Sequence, residues 1–116
     1  MRRGFTLIEA LVALVVFEFG MLALVATNAL IARDLAAFKR RASAHALASQ
    51  RVELLRARAC DAPAAGVADS AGFVETWTVA VQGSHSSIVD SVAFALPRGR
   101  QSSVVVRASL LCGHRT

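Results

Sequence analysis

Two carboxylates, Glu9 and Glu18, lie inside an apolar run from Phe5 to Ala32 that contains no Lys, Arg or His. An acid costs on the order of 2.5–3.5 kcal/mol at mid-bilayer and less near the interface, so a group placed there wants a named partner. Its chemistry is pairing with a cation; hydrolysis has no water to work with in such surroundings. The simpler reading of Glu9 is a position shallow enough to reach headgroup water. Arg2, Arg3 and Gly4 stand directly before the run, and Cys60 and Cys112 form the other reactive pair. His45, His85 and His114 are scattered without a spacing that converges them. There is no glycine-rich phosphate loop, no nucleophile elbow and no paired acid set in a soluble stretch. The sequence predicts no enzyme, no cofactor and no metal site.

The elements that must carry these groups begin with the apolar run. Its roughly 28 residues make about 42 Å of helix, and a bilayer core of about 30 Å needs only about 20. An ordinary secretory signal peptide fits poorly, because the run is too long and no small-x-small site follows a short apolar core. Arg2 and Arg3 would hold the N-terminus on the cytoplasmic side and leave the rest outside. From Ile31 to Arg58 the composition turns polar yet stays helix-forming, and no Gly or Pro intervenes before Pro63. Ala44, Ala48, Val52, Leu55 and Ala59 recur on one helical face, widened by Leu47 and Leu54. Lys39, Arg40, Arg51, Arg56 and Arg58 are assigned to the opposite side. One continuous helix is expected from about Phe5 to Ala59, roughly 80 Å long. Lys39-Arg40-Arg41 reads as a solvated face, with nucleic acid or lipid headgroups as the alternative.

Asp61 to Gly72 is rich in Ala, Gly, Asp and Pro and is expected to be a loop. After it the period becomes two. Strands are expected from Phe73 to Gln82, from Ile88 to Leu96 and from Ser102 to Leu111, with a turn at Gly83 to Ser87 between the first two. The fold class is α+β: a long N-terminal helix, its first half transmembrane, packed on a small three-stranded antiparallel sheet. Trp77 falls in the alternating pattern as a core residue. The expected divisions are residues 1–4 as a leader, 5–32 as membrane helix, 33–60 as its soluble amphipathic continuation and 61–116 as loop and sheet. A chain of 116 residues, 55% of them hydrophobic, leaves room for one small soluble domain beside that run. Cys60 and Cys112 stand at the ends of helix and last strand. Bridged, they would close a loop of about 52 residues, worth on the order of 4 kcal/mol; two free buried thiols are the alternative.

Gly-Phe-Thr-Leu-Ile-Glu-Ala-Leu-Val-Ala-Leu, at Gly4 to Leu14, closely resembles the N-terminal signature of type IV prepilins and type II secretion pseudopilins. The resemblance covers about the first quarter of the chain. It implies that a membrane-embedded aspartyl peptidase cuts after Gly4 and N-methylates Phe5. Glu9 then corresponds to the family's acid that meets the terminal amine of a neighbouring subunit during assembly. Loss of the leader would lower the formal charge from +5 to about +3. The implied partners are other pilin or pseudopilin subunits, the prepilin peptidase, the inner-membrane assembly machinery, and membrane lipid before extraction. The implied place is the bacterial inner membrane in a single pass, N-terminus cytoplasmic and C-terminal domain periplasmic, and then the filament. The small domain is similar to those of minor pilins and minor pseudopilins. Two departures stand out: Leu24-Val25-Ala26-Thr27 lacks the helix-kinking proline of many major pilins, and Glu18 is an acid the pattern does not require. The alternatives are a competence-type pilin that binds DNA through Lys39–Arg41 or through Arg98 and Arg100, and an uncleaved single-span anchored domain.

Overall fold

A computed structural model describes residues 4–113. Met1, Arg2, Arg3 and His114 lie outside the described residues. Helix α1 spans Leu7–Arg56, and strands β1 to β4 span Ala64–Ser70, Phe73–Gln82, His85–Ala95 and Gln101–Leu111. The chain divides after Ala36 into two compact units.

The first unit is helix from Leu7 onward. The Thr6 carbonyl opens it, accepting from the N–H groups of Glu9 and Ala10 at 3.0 and 3.2 Å. Phe5, Leu7, Val12, Phe17, Leu22 and Val25 are all exposed. By length and composition α1 can cross a membrane. The Thr27 hydroxyl donates to the Ala23 carbonyl at 2.8 Å, so it needs no partner outside the helix.

In the second unit the strands form one antiparallel meander in the order β1-β2-β3-β4. Alternation along β3 turns Ser86, Ile88, Asp90, Val92 and Phe94 to the buried face. Ala44 and Ala48 of α1 pack with Val92, Phe94 and Leu96; Val52 and Ala59 pack with Val79 and Ile88. The helix contributes small side chains, so its backbone can approach while Phe94 and Ile88 fill the space between. Interiors reach crystal-like density through such large-to-small matching.

The sheet has four strands rather than three. The segment expected to be a loop contains β1, whose Ala-Ala-Gly-Val-Ala sequence has weak β-propensity. Tertiary contact supplies what propensity lacks: Gly66 pairs with Trp77, and the indole reaches over the glycine so closely that a Cβ there would collide with the ring. Aromatic cover of a strand glycine is a known way to stabilise it. The β1–β2 turn has Ala71 and Gly72 at φ 51° and 78°, the positive pair required by a type I′ hairpin, with Ala where Asn is usual.

Three smaller differences have local causes. Strand β3 starts at His85 rather than Ile88, because Gly83 at φ 59° lets the chain reverse in two residues. Helix α1 ends at Arg56; beyond it, turns bond Arg58 N–H to Leu55 O and Asp61 N–H to Arg58 O, both at 3.0 Å. Leu54 does not widen the buried stripe and is 69% exposed. Two ties fasten the segment after α1 to the sheet. The buried Ser86 hydroxyl donates to the Ala59 carbonyl at 2.6 Å, and Cys60 is bonded to Cys112 with their Cα atoms 5.5 Å apart.

The Gly66–Trp77 contact sets up a double-mutant test. Gly66→Ala should destabilise the protein by about 1–3 kcal/mol through overpacking against the ring. In a Trp77→Val background the same change should cost clearly less, because the two residues share one space. Thermal melts of the four proteins give the coupling. Additive losses would show that the indole does not press on β1.

Candidate functional site

Two groups of residues carry chemistry. The first lies at the start of α1. Gly4, Phe5 and Thr6 precede the helix, so the Gly4–Phe5 peptide bond is outside its hydrogen-bond ladder. Phe5 is 83% exposed. Glu9 sits in the first turn of α1, where the positive end of the helix dipole favours a carboxylate. Thr6-Leu7-Ile8-Glu9 also has the spacing of a capping box, in which an acid three residues after the cap reaches back to a backbone N–H. The position of Glu9 thus suits the helix start itself, by its place in the first turn and by this spacing. Glu18 lies nine residues further along the same helix, among exposed apolar side chains.

A second group lies where α1 covers the sheet. Arg51 forks onto Glu75: Nε donates to Oε1 at 3.1 Å and Nη2 to Oε2 at 2.9 Å. The guanidinium also lies over the Trp77 ring, 4.3 Å from its centroid. Trp77 is half-buried, on the core side by register, with its ring over Gly66 of β1. Asp90 stands opposite Trp77 on β3 and is fully buried, and neither of its carboxylate oxygens has a hydrogen-bond partner. Burial first, and the Glu75 charge second, push its carboxyl up from 3.8 to about 6. Two ionised carboxylates close together repel, so the Glu75 charge favours the protonated form of Asp90. On Arg51 the Glu75 hydrogen bond favours the charged form and outweighs the cost of burial.

The Arg51–Glu75 fork fastens α1 to β2. The Arg51 side chain is 32% exposed and the Glu75 side chain 10%, so loss of the guanidinium would leave a largely desolvated carboxylate unpaired. Arg51 was expected on the solvated side of the helix, and so was Arg40; both turn to the sheet. The Arg40 Nη1 donates to the Ala95 carbonyl, and its guanidinium lies 5.6 Å from the centroid of the Phe73 ring. Lys39 and Arg41 remain exposed, so the basic triplet does not present a single face. Arg98 and Arg100 are exposed at the β3–β4 connection. Among the described residues no three His, Cys, Asp or Glu side chains gather where a metal could be held.

Sequence reading passed over Asp90 and did not connect Glu75 with Arg51. The signal was present in the phase. Glu75 alternates with Phe73 and Trp77, Asp90 alternates with Ile88 and Val92, and Arg51 adjoins Val52 on the alanine stripe. A charge in step with a core row is a candidate for burial, and a buried charge asks for a partner.

Residues 1–26 match the family model described as the prokaryotic N-terminal methylation motif. This is the type IV pilin-like prepilin signal. The match ends inside α1 and does not reach the sheet unit. No characterised protein and no solved structure matches the chain.

The Asp90 carboxyl makes stability depend on pH with a definite sign. The unfolded chain releases this proton near 3.8, whereas the folded chain holds it to about 6. Its contribution is therefore fully present below 3.8 and is lost as pH rises through about 6, leaving the folded state weaker above. The difference between pH 4.5 and 7.5 should be on the order of 2 kcal/mol. Asp90→Asn should flatten that part of the profile, measured as denaturation midpoints across the range. An unchanged slope in the variant would show that another group titrates.

Proposed function

We propose that this chain is a structural minor subunit of a type IV pilus or a type II secretion pseudopilus. It is inserted as a prepilin, cleaved after Gly4, N-methylated at Phe5 and assembled through its N-terminal helix. The observation that carries the reading is the methylation motif over residues 1–26, placed so that Gly4 and Phe5 precede α1. A scissile bond must be presented as extended backbone, and a bond before the helix can be so presented. Among the described residues the large apolar side chains of the first unit are exposed, which suits a segment surrounded first by lipid and then by other helices. Van der Waals packing and polar contacts drive such association once lipid is left behind.

In this scheme residues 1–4 are the leader and 5–32 the membrane and filament helix. The sheet unit is carried outside the inner membrane. The Cys60–Cys112 bond supports that side, since disulfides persist in oxidising compartments. Cleavage leaves an ammonium on Phe5, and the Glu9 carboxylate of one subunit neutralises the ammonium of the next. Each is costly alone in hydrocarbon, and together they offset one another. The role is structural; the chemistry is done on the chain by the peptidase.

Intact mass after coexpression with a prepilin peptidase should show loss of Met1–Gly4 and one added methyl on Phe5. A mature chain that still begins at Met1 would remove the reading. The two uses of Glu9 separate by substitution. Glu9→Gln keeps a side chain able to close the capping box but removes the charge, whereas Glu9→Leu removes both. If the charge pairs with a neighbour, both variants should be cleaved normally and both should be depleted from sheared filaments. Removing one member of a buried pair costs roughly 3–5 kcal/mol. Wild-type incorporation of Glu9→Gln would assign the residue to the cap alone.

A further inference from the structure

Glu18 has no role in that scheme, and its placement on α1 suggests one. Nine residues of α-helix advance about 900°, which puts Glu18 on the side of α1 opposite Glu9 and about 13.5 Å further along the axis. A neighbour that meets Glu9 through its terminal ammonium therefore lies on one flank, and whatever meets Glu18 lies on the other. The helix itself offers Glu18 nothing. The positions three and four residues away are Leu14, Val15, Met21 and Leu22, all apolar. Thr27 has already committed its hydroxyl to the Ala23 carbonyl.

The charge count then decides what kind of neighbour is needed. Between Phe5 and Ala32 the chain has two carboxylates and no Lys, Arg or His. With the leader removed, the terminal ammonium is the one cation this segment can offer. Copies of the chain packed together would bring two acids and one ammonium each, and one acid per copy would lack a counter-ion. A carboxylate in an apolar layer needs that counter-ion or must take up a proton.

We infer that the Glu18 face of α1 is a docking surface for an unlike subunit whose apolar helix carries a Lys or Arg at matching depth. The chain then enters the filament between two kinds of contact. One is the Glu9–ammonium contact that any processed neighbour can make; the other is a carboxylate–cation contact that copies of itself cannot make. This inference rests on the filament reading proposed above. Charge complementarity gives it direction, because every other exposed side chain on the turns around Glu18 is apolar and would accept any helix equally.

The test uses the full chain in phosphatidylcholine vesicles with a synthetic leucine-alanine membrane-spanning helix as the probe. Versions of the probe carry one Lys at successive depths, and a control carries none. Energy transfer between labels reports association. One Lys-bearing probe should bind about tenfold more tightly than the control. That preference should be lost with Glu18→Gln and kept with Glu9→Gln. The inference is overturned if no Lys probe binds better than the control, or if Glu9→Gln abolishes the preference instead. It is also overturned if Glu18 drives association of the chain with itself, as two acids sharing a proton would. The chain is prepared by coexpression with a prepilin peptidase, and its intact mass reports cleavage after Gly4 separately, so a failed filament reading and a failed Glu18 contact give different results.

Discussion

Ala44, Ala48 and Val52 of one helix lie against Ile88, Val92 and Phe94 of one strand, and the whole sheet unit depends on that seam. Among the described residues one face of the meander is covered, by α1 and by the turn after it that carries Ala59. A small open sheet is not stable without such a layer. The seam leaves an ambiguity, however. Alanines four residues apart look alike after a slip of one helical turn, so small apolar side chains alone specify the register weakly. The Arg51–Glu75 fork removes the ambiguity: a slip of one turn would strand a nearly buried carboxylate and pull the guanidinium off Trp77. In this chain the apolar contact supplies the attraction and the polar contact supplies the address.

The helix and the phase of its buried stripe are legible in the sequence because they follow from local rules. Lack of Gly and Pro keeps the chain helical past Ile31, and four-residue spacing of small residues marks the face. Strands β2 and β4 are legible for the same reason, since alternation over ten or more residues leaves little choice. The N-terminal signal is legible because it is a contiguous string whose chemistry does not depend on the fold.

Strand β1 is not legible, and the reason is physical. Its residues prefer no extended structure, and Ala71 gives no sign that it will adopt a positive φ. What makes the strand is Trp77, eleven residues away in sequence from Gly66 and directly opposite it in the sheet. The two arginines fail in a related way. Arg40 and Arg51 look like solvated charges because nothing local announces the Phe73 and Trp77 rings that will lie beneath them. Long cationic side chains cover apolar surface with their stems and heads, and a helical wheel cannot display that.

The bond between Cys60 and Cys112 turns the intervening chain into a closed ring that includes all four strands. Pulling on the helix and on the chain beyond Cys112 would load the sulfur–sulfur bond and not the hydrogen bonds between strands. Peeling β4 from β3 at its C-terminal end, the easiest way to open a meander by force, is therefore blocked while the bond is intact. The sheet rides on the helix as a load that carries no tension, and mechanical strength is decoupled from the modest stability of so small a core.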